Sequence, residues 1–276
     1  MQTFSSSFLL LFYQIALGGL LGLSVTPFHE LEKAFYKSTA GVLLVIAILG
    51  FWGKSHIYWQ VISTETSFAI LAEILFHALF VLSLAAYMIS LWGENQELRA
   101  RSFASAVLCG FTGLLFSAHG FYRAPFWAVE TFIYPIAFFL SALLLGTVTV
   151  GMLLGHWYLI DAGQSLDPFI RIYKFFVATL VVQTIFLLTS LIVLYAFGVS
   201  GSAISLERLW TDHPALFSTR VILGQVAPLI LAWMIWRTLM IPHTMAATGL
   251  FYIALLSVFV GEILGKQILA LTSMPF

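Results

Sequence analysis

The sequence predicts an all-α integral membrane protein with eight transmembrane helices in an up-and-down bundle. Composition supports this prediction, because hydrophobic residues make up 61% of the 276 residues and charged residues only 9%, where a soluble domain carries about a quarter. The pattern supports it too, since the apolar residues form long stretches near the about 20 residues that a membrane-spanning helix needs. The segments between them are too short for a soluble catalytic domain, so we expect one polytopic membrane domain over residues 1–276.

The eight apolar stretches follow one another along the whole chain with short polar connections. The first has no basic segment before it and no small-residue cleavage site after it, so we interpret it as a retained helix rather than a signal peptide. Short connections favour antiparallel neighbours, which suggests two groups of four helices. We predict helices at roughly 5–28, 38–54, 66–92, 102–122, 128–160, 168–198, 218–239 and 245–272.

Glycines and tryptophans support these assignments. Small residues at helical spacing let membrane helices approach closely, and they occur in the first and fifth stretches: Gly18, Gly19, Gly22, Gly146, Gly151 and Gly155. Tryptophan rings prefer the interface between membrane and water, and six of them lie near predicted helix ends: Trp52, Trp59, Trp92, Trp127, Trp157 and Trp210.

The distribution of lysine and arginine favours an orientation with both termini outside. In that orientation the inner side holds seven basic residues: Lys33, Lys37, Arg99, Arg101, Arg171, Lys174 and Arg237. The outer side holds five: Lys54, Arg123, Arg208, Arg220 and Lys266. Basic residues accumulate on the cytoplasmic side of membrane proteins, so this count favours the N-out arrangement.

Charge and cysteine content exclude several classes of function. The net charge is zero, which argues against a nucleic-acid partner. The single cysteine, Cys109, excludes an internal disulfide and a cysteine-ligated iron–sulfur cluster in this chain. A covalent c-type haem is excluded as well, because the sequence contains no CxxCH motif. No metal site is predicted.

Several polar side chains are predicted to converge on the outer half of the bundle, where burial in lipid makes each of them expensive. His56 is predicted to lie in the short loop after the second helix. The set comprises Gln14, His56, Glu73, His77, Tyr122 and Arg123.

Glu73 and His77 are the strongest functional candidates. Glu73 has no basic residue three or four positions away, so its carboxyl group is protonated, has a distant partner or faces a cavity. His77, at i+4, is a haem ligand, a proton relay or a hydrogen-bond partner of Glu73. A b-type haem needs two histidines at matching depth, and neither His119 nor His156 matches His77, so we expect no haem.

Near the C-terminus we predict a structural ion cluster of Arg220, Glu262 and Lys266. Glu262 and Lys266 are spaced i, i+4, so they face the same side of a helix and can neutralise each other. Arg220 opens the seventh helix and adds a second positive charge.

Four places along the chain carry a family resemblance. They are the Tyr-Gln-Ile-Ala-Leu-Gly-Gly run over 13–19, His56 followed by Ala-Glu-Ile over 72–74, the trio Tyr122, Pro125 and Trp127, and Gly-Glu-Ile-Leu-Gly-Lys over 261–266 with Arg220 before it. Together they resemble the membrane-anchor subunits of the dimethyl sulfoxide reductase and polysulfide reductase type, which are quinol-interacting membrane proteins.

The resemblance implies a subunit of the prokaryotic cytoplasmic (inner) membrane that does not itself reduce the terminal substrate. It would bind quinol, either menaquinol or ubiquinol, near the outer face and pass electrons to an iron–sulfur subunit that feeds a molybdenum-containing catalytic subunit. Members of the family generally carry no haem.

The same resemblance and the polar set together suggest how a quinol would be oxidised. Quinol oxidation needs a polar group for each ring oxygen and acceptors for two protons, within an apolar pocket. Glu73 would take a proton, directly or through His77. His56 or Gln14 would hold the head group, with Tyr122 and Arg123 at the rim.

Other functions stay open. A haem-b membrane cytochrome would show a characteristic visible spectrum. A secondary transporter often has paired helices broken by glycine or proline, and no convincing pair occurs here. A structural scaffold would leave Glu73 without a purpose.

Overall fold

A computed structural model of the chain describes residues 4–26, 28, 30–64, 67–121, 127–160, 165–241 and 243–276. These ranges are almost entirely helical. The helices are α1 (Phe4–Ser24), α2 (Lys33–Thr64), α3 (Phe68–Ser90), α4 (Gln96–His119), α5 (Glu130–Ile160), α6 (Asp167–Phe197), α7 (Ser200–Asp212), α8 (Pro214–Val221), α9 (Ala227–Leu239) and α10 (Thr244–Thr272), and a π-helical turn, Ile222–Val226, joins α8 to α9.

Within the described ranges, eight helices are long and apolar enough to cross a membrane. Seven of them are α1 to α6 and α10. The eighth is continuous through the π-helical turn and runs over Pro214–Leu239. The prediction of an all-α chain with eight such helices is therefore confirmed.

Helix α2 continues well beyond its predicted end at residue 54 and reaches Thr64. The prediction that His56 lies in a loop is therefore wrong. Lys54, at the predicted end of the helix, points into the protein and is neutralised by an acid on α3. A charge with an internal partner does not interrupt a membrane helix.

The segment 199–217, predicted as a connection outside the membrane, contains the short helix α7. Its beginning is attached to the beginning of α5, because the Glu130 carboxylate accepts hydrogen bonds from the Val199 amide at 2.9 Å and from the Ser202 hydroxyl at 2.5 Å. Leu206 and Leu209, three positions apart, are buried. That spacing identifies the packed face of an amphipathic helix.

Helices α1 and α5 form the most deeply buried part of the structure. Helix α1 packs against α2, α4, α5 and α10, and α5 packs against α1, α4, α6 and α10. The two helices approach closely at Gly18 and Gly146: a Cβ atom at Gly18 would overlap the carbonyl oxygen of Ala142, and one at Gly146 would overlap the backbone of Gly18. Backbone contact of this kind is possible only with glycine.

We expect Gly146→Ala to lower the stability of the purified protein, because the added methyl group has only backbone in front of it. Overpacking of this kind costs about 1–3 kcal/mol or more. Gly41→Ala is the matched control, since Gly41 is also helical but has open space where its Cβ would lie. Thermal unfolding in detergent should show several degrees of loss for Gly146→Ala and none for Gly41→Ala. Equal behaviour of the two variants would contradict the close contact between α1 and α5.

Candidate functional site

Glu73 lies at the centre of a polar cluster formed by α2, α3 and α4. Its carboxylate accepts hydrogen bonds from the Lys54 ammonium at 2.7 Å, the Ser117 hydroxyl at 2.9 Å and the Tyr58 hydroxyl at 3.2 Å. The side chains of Lys54 and Glu73 are only 8% and 15% exposed. Of the three alternatives for this acid, the geometry therefore favours the distant partner: Lys54, 19 residues earlier in the chain.

His77 lies one turn further along α3 and is 2% exposed. Its Nδ1 atom is 2.8 Å from the Tyr58 hydroxyl and its Nε2 atom is 3.1 Å from the Ser117 hydroxyl. Tyr58 and Ser117 thus each contact both Glu73 and His77. Two hydroxyl groups bridge the carboxylate and the imidazole, which gives a proton two short routes between them.

The four contacts of Tyr58 and Ser117 with Glu73 and His77 require four donor hydrogens. Tyr58 and Ser117 supply one donor hydrogen each, and a neutral imidazole supplies one more, which is enough for three hydrogen bonds. The fourth bond forms when one more proton is present, either as a second hydrogen on the His77 ring or on a protonated Glu73 carboxyl group. The four contacts therefore leave a hydrogen-bonded place for one additional proton, on His77 or on Glu73.

Tyr13 of α1 closes the cluster on the side of the protein core. Its ring centroid is 3.9 Å from that of His77, and its hydroxyl donates to the Gly110 carbonyl of α4 at 2.8 Å. Gly113, one turn further along α4, makes room for both rings, because a Cβ there would overlap the Tyr13 hydroxyl and press on His77. This packing fixes the plane of the imidazole.

Gln14 faces away from this cluster although it follows Tyr13. Successive helical residues are about 100° apart, so Gln14 points towards α5, where its Nε2 donates to the Phe138 carbonyl at 2.9 Å. Its side chain is completely buried. The structure therefore does not bring Gln14 together with Glu73.

His56 also lies apart from Glu73, which corrects the expectation that the two line one cavity. It is exposed, two positions from the buried residues Lys54 and Tyr58, and a two-residue step in a helix turns the side chain to nearly the opposite face. Its Nε2 atom is 3.1 Å from the Gln60 amide nitrogen. Tyr122 and Arg123 lie outside the described residues.

Four members of the cluster around Glu73 were not predicted from the sequence: Lys54, Tyr58, Ser117 and Tyr13. One local pattern was available for two of them, since Lys54 and Tyr58 are spaced i, i+4 and share a helix face once α2 is extended. Ser117 has no such pattern, because its position opposite Glu73 depends on the packing of α4 against α3.

A second buried cluster joins α5, α6, α8 and α10 around Glu262. Its carboxylate accepts from Arg220 at 2.9 Å, from the Ser141 hydroxyl at 2.5 Å and from the Gln183 amide at 2.8 Å. The π-helical turn starts two residues after Arg220, and Gly224 in that turn leaves room for the guanidinium group, since a Cβ there would overlap Nη1.

Within the described residues Lys266 makes no direct ion pair with Glu262, although the two groups are close enough to interact electrostatically. The carboxylate oxygens are already occupied by Arg220, Ser141 and Gln183, and the Lys266 ammonium lies instead 4.8 Å from the centroid of the Phe138 ring. A cation over an aromatic face is a weaker but real attraction. These groups line a cavity of about 20 Å³, the size of roughly one water molecule.

The remaining polar groups offer little for a metal or a haem. In the part of the chain that the structure describes, no three His, Cys, Asp or Glu side chains lie together as a metal ion requires. Both nitrogens of His77 are engaged by hydroxyl groups, so a haem iron would have to displace Tyr58 or Ser117. His156 contacts the Tyr252 hydroxyl at 3.2 Å at an exposed position.

Comparison with known proteins does not assign the chain to a family. No family model matches the sequence, and no curated protein is similar to it. Any functional conclusion therefore depends on the residues and their geometry.

We expect Glu73→Gln to destabilise the protein, because it leaves the Lys54 ammonium buried without a counter-charge. Removing one partner of a buried pair costs about 3–5 kcal/mol, whereas replacing both is often nearly neutral. The double variant Lys54→Met with Glu73→Gln should therefore recover most of the loss in a thermal unfolding measurement. A double variant as unstable as the single one would show that the ion pair is not what Glu73 contributes to stability.

The second cluster gives a contrasting pair of variants. Glu262→Gln leaves Arg220 buried without its counter-charge and should also cost about 3 kcal/mol or more. Lys266→Met removes a cation that makes no direct ion pair within the described residues and interacts with Glu262 only at longer range, so we expect a smaller loss, of about 1 kcal/mol. Chemical unfolding in mixed micelles can rank the two variants. If Lys266→Met proved as harmful as Glu262→Gln, the description of Lys266 as lacking a direct ion pair would be wrong.

Proposed function

We propose that the protein is the quinol-binding membrane-anchor subunit of a multisubunit oxidoreductase. In this proposal the eight helices cross the inner membrane of a prokaryote in up-and-down order, with both termini outside. Electrons from the quinol pass to an iron–sulfur partner subunit and from there to a molybdenum-containing catalytic subunit. The observation that carries the proposal is the buried cluster in which Glu73 and His77 share two hydroxyl groups.

Quinol oxidation requires a proton acceptor of the kind that this cluster provides. Oxidation of one quinol to quinone releases two protons and two electrons. The cluster has a hydrogen-bonded place for one of these protons, on Glu73 or on His77, and the second proton is accepted after the first has moved on. Since Glu73 is more exposed than His77, a quinol would meet the carboxylate first, and Ser117 or Tyr58 would relay a proton onward.

Lys54 and Tyr58 replace Gln14 and His56 as the groups that would hold the quinol oxygen. Both are donors beside the Glu73 carboxylate, and a donor at the ring oxygen stabilises the charge that develops as the proton leaves. Tyr122 and Arg123 follow α4, which carries Ser117, and they stay in the proposal as rim residues.

The folding of the chain brings together segments that carry the family resemblance. Tyr13 belongs to the run over 13–19 and packs on His77. His77 lies one helical turn after Glu73, which belongs to the Ala-Glu-Ile segment over 72–74. Arg220 and Glu262, from the last, form a buried ion pair. Both contacts join residues that are far apart in sequence.

A secondary transporter is the second candidate, and one observation favours it. The π-helical turn Ile222–Val226 interrupts a membrane helix directly beside the Arg220–Glu262 pair. Irregular turns of this kind are frequent at functional sites, and broken helices mark binding sites in transporters. Uptake of a labelled solute by vesicles containing only this chain would favour transport over quinol oxidation.

The decisive measurement is quinol oxidation by membranes that contain the complete complex. We expect the Lys54→Met, Glu73→Gln double variant to reduce turnover by about 10²–10⁴-fold, the usual contribution of a general base, while the complex remains assembled. The matched control is Arg101→Met with Glu97→Gln, an exposed ion pair on α4, which should keep full turnover. Normal turnover in the Glu73 double variant would contradict the assignment of the quinol site. Absence of an iron–sulfur subunit from the purified complex would contradict the proposed function.

A further inference from the structure

A pocket lies at the opposite end of α1 to α4 from Glu73. It has a volume of about 540 Å³ and lies among the ends of the four helices. On α3 its lining residue Tyr87 is 14 positions beyond Glu73, which corresponds to about 21 Å along the helix. The volume is within the range of about 300–1,000 Å³ that is typical of small-molecule sites.

Arg99 supplies the charge of this pocket. Its guanidinium carbon is 4.2 Å from the Phe28 ring centroid, and one terminal nitrogen donates to the Gly93 carbonyl at 2.9 Å. The Nε atom is buried without a partner among the described residues. No carboxylate is present among the described residues that line the pocket, so the positive charge is not compensated there.

Aromatic rings supply the apolar walls. Phe28 packs on Tyr36 with 4.6 Å between ring centroids, and Tyr87 packs on Phe103 with 5.2 Å. The Tyr87 hydroxyl forms no hydrogen bond within the described part of the chain, whereas the Tyr36 hydroxyl donates to a backbone carbonyl. A ligand that fits this pocket has an anionic group for Arg99 and an apolar body for the rings.

The position of the pocket identifies the source of such a ligand. It lies where several membrane helices end, beside Lys37 and Trp92, whose ammonium group and ring are 4.9 Å apart. Tryptophan and lysine are typical of the interface at which lipid phosphates lie. A small soluble anion would have no apolar part to pack against the four aromatic rings of the pocket.

We propose that this pocket binds one anionic phospholipid. The phosphate accepts hydrogen bonds from Arg99, whose planar donors match phosphate geometry, and from the Tyr87 hydroxyl. The glycerol and the upper acyl carbons pack on the aromatic rings. The site requires only that the helices span a membrane, so it is independent of quinol binding.

The test uses delipidated full-length protein in detergent and native mass spectrometry with added lipid. We expect phosphatidylglycerol to bind at least tenfold more tightly than phosphatidylcholine, and inorganic phosphate at the same concentration to leave that binding unchanged. Arg99→Gln should weaken the binding of phosphatidylglycerol about tenfold or more, as expected for loss of a charge-assisted bond. Tyr87→Phe, which removes a single hydroxyl group, should weaken it several-fold.

Arg101→Gln is the matched control. Arg101 lies two positions from Arg99, its side chain is 75% exposed and it pairs with Glu97, so the variant changes the charge equally without touching the pocket. It should bind phosphatidylglycerol like the wild type. Equal losses in Arg99→Gln and Arg101→Gln would overturn the site in favour of general surface attraction. Equal binding of the two lipids, or displacement by inorganic phosphate, would overturn the lipid assignment.

Discussion

Charges buried among apolar helices must be neutralised by the protein itself, and this constraint determines how the helices pack. Each of the two buried clusters takes its members from several helices: Glu73 joins α2, α3 and α4, and Glu262 joins α5, α6, α8 and α10. A helix that slid by one turn would leave a charge unpaired in an apolar surrounding, at a cost of several kcal/mol. The ion pairs therefore fix the relative heights of helices whose apolar surfaces would otherwise permit sliding.

The close crossing of α1 and α5 places these two clusters on either side of one helix. Tyr13 stacks on His77, while the next residue, Gln14, bonds to the backbone of Phe138, whose ring lies below the Lys266 ammonium. Two consecutive residues thus contact the surroundings of both clusters. A rotation of α1 that changed one of these contacts would also change the other.

The sequence predicted the parts of this arrangement that depend on local pattern. Eight helices followed from the lengths of the apolar stretches, and Glu73 with His77 followed from i, i+4 spacing on one helix. Lys54 was not predicted as their partner because a basic residue after an apolar stretch normally marks the end of a helix, and only the packing of α2 on α3 turns it inward. Ser117 and the orientation of Gln14 depend on contacts between residues distant in sequence, for which a single sequence carries no pattern.

The unexpected length of α2 has a consequence for the surface of the protein at the C-terminal end of that helix. Its 32 residues correspond to about 48 Å, against a hydrocarbon thickness of about 30 Å. Even a tilt of about 40°, the upper end of the usual range, leaves several ångströms of this helix outside the acyl chains. In a membrane the last turns of α2, which carry the strongly exposed Trp59, would then extend among the lipid head groups. A peripheral protein bound at that face would contact them.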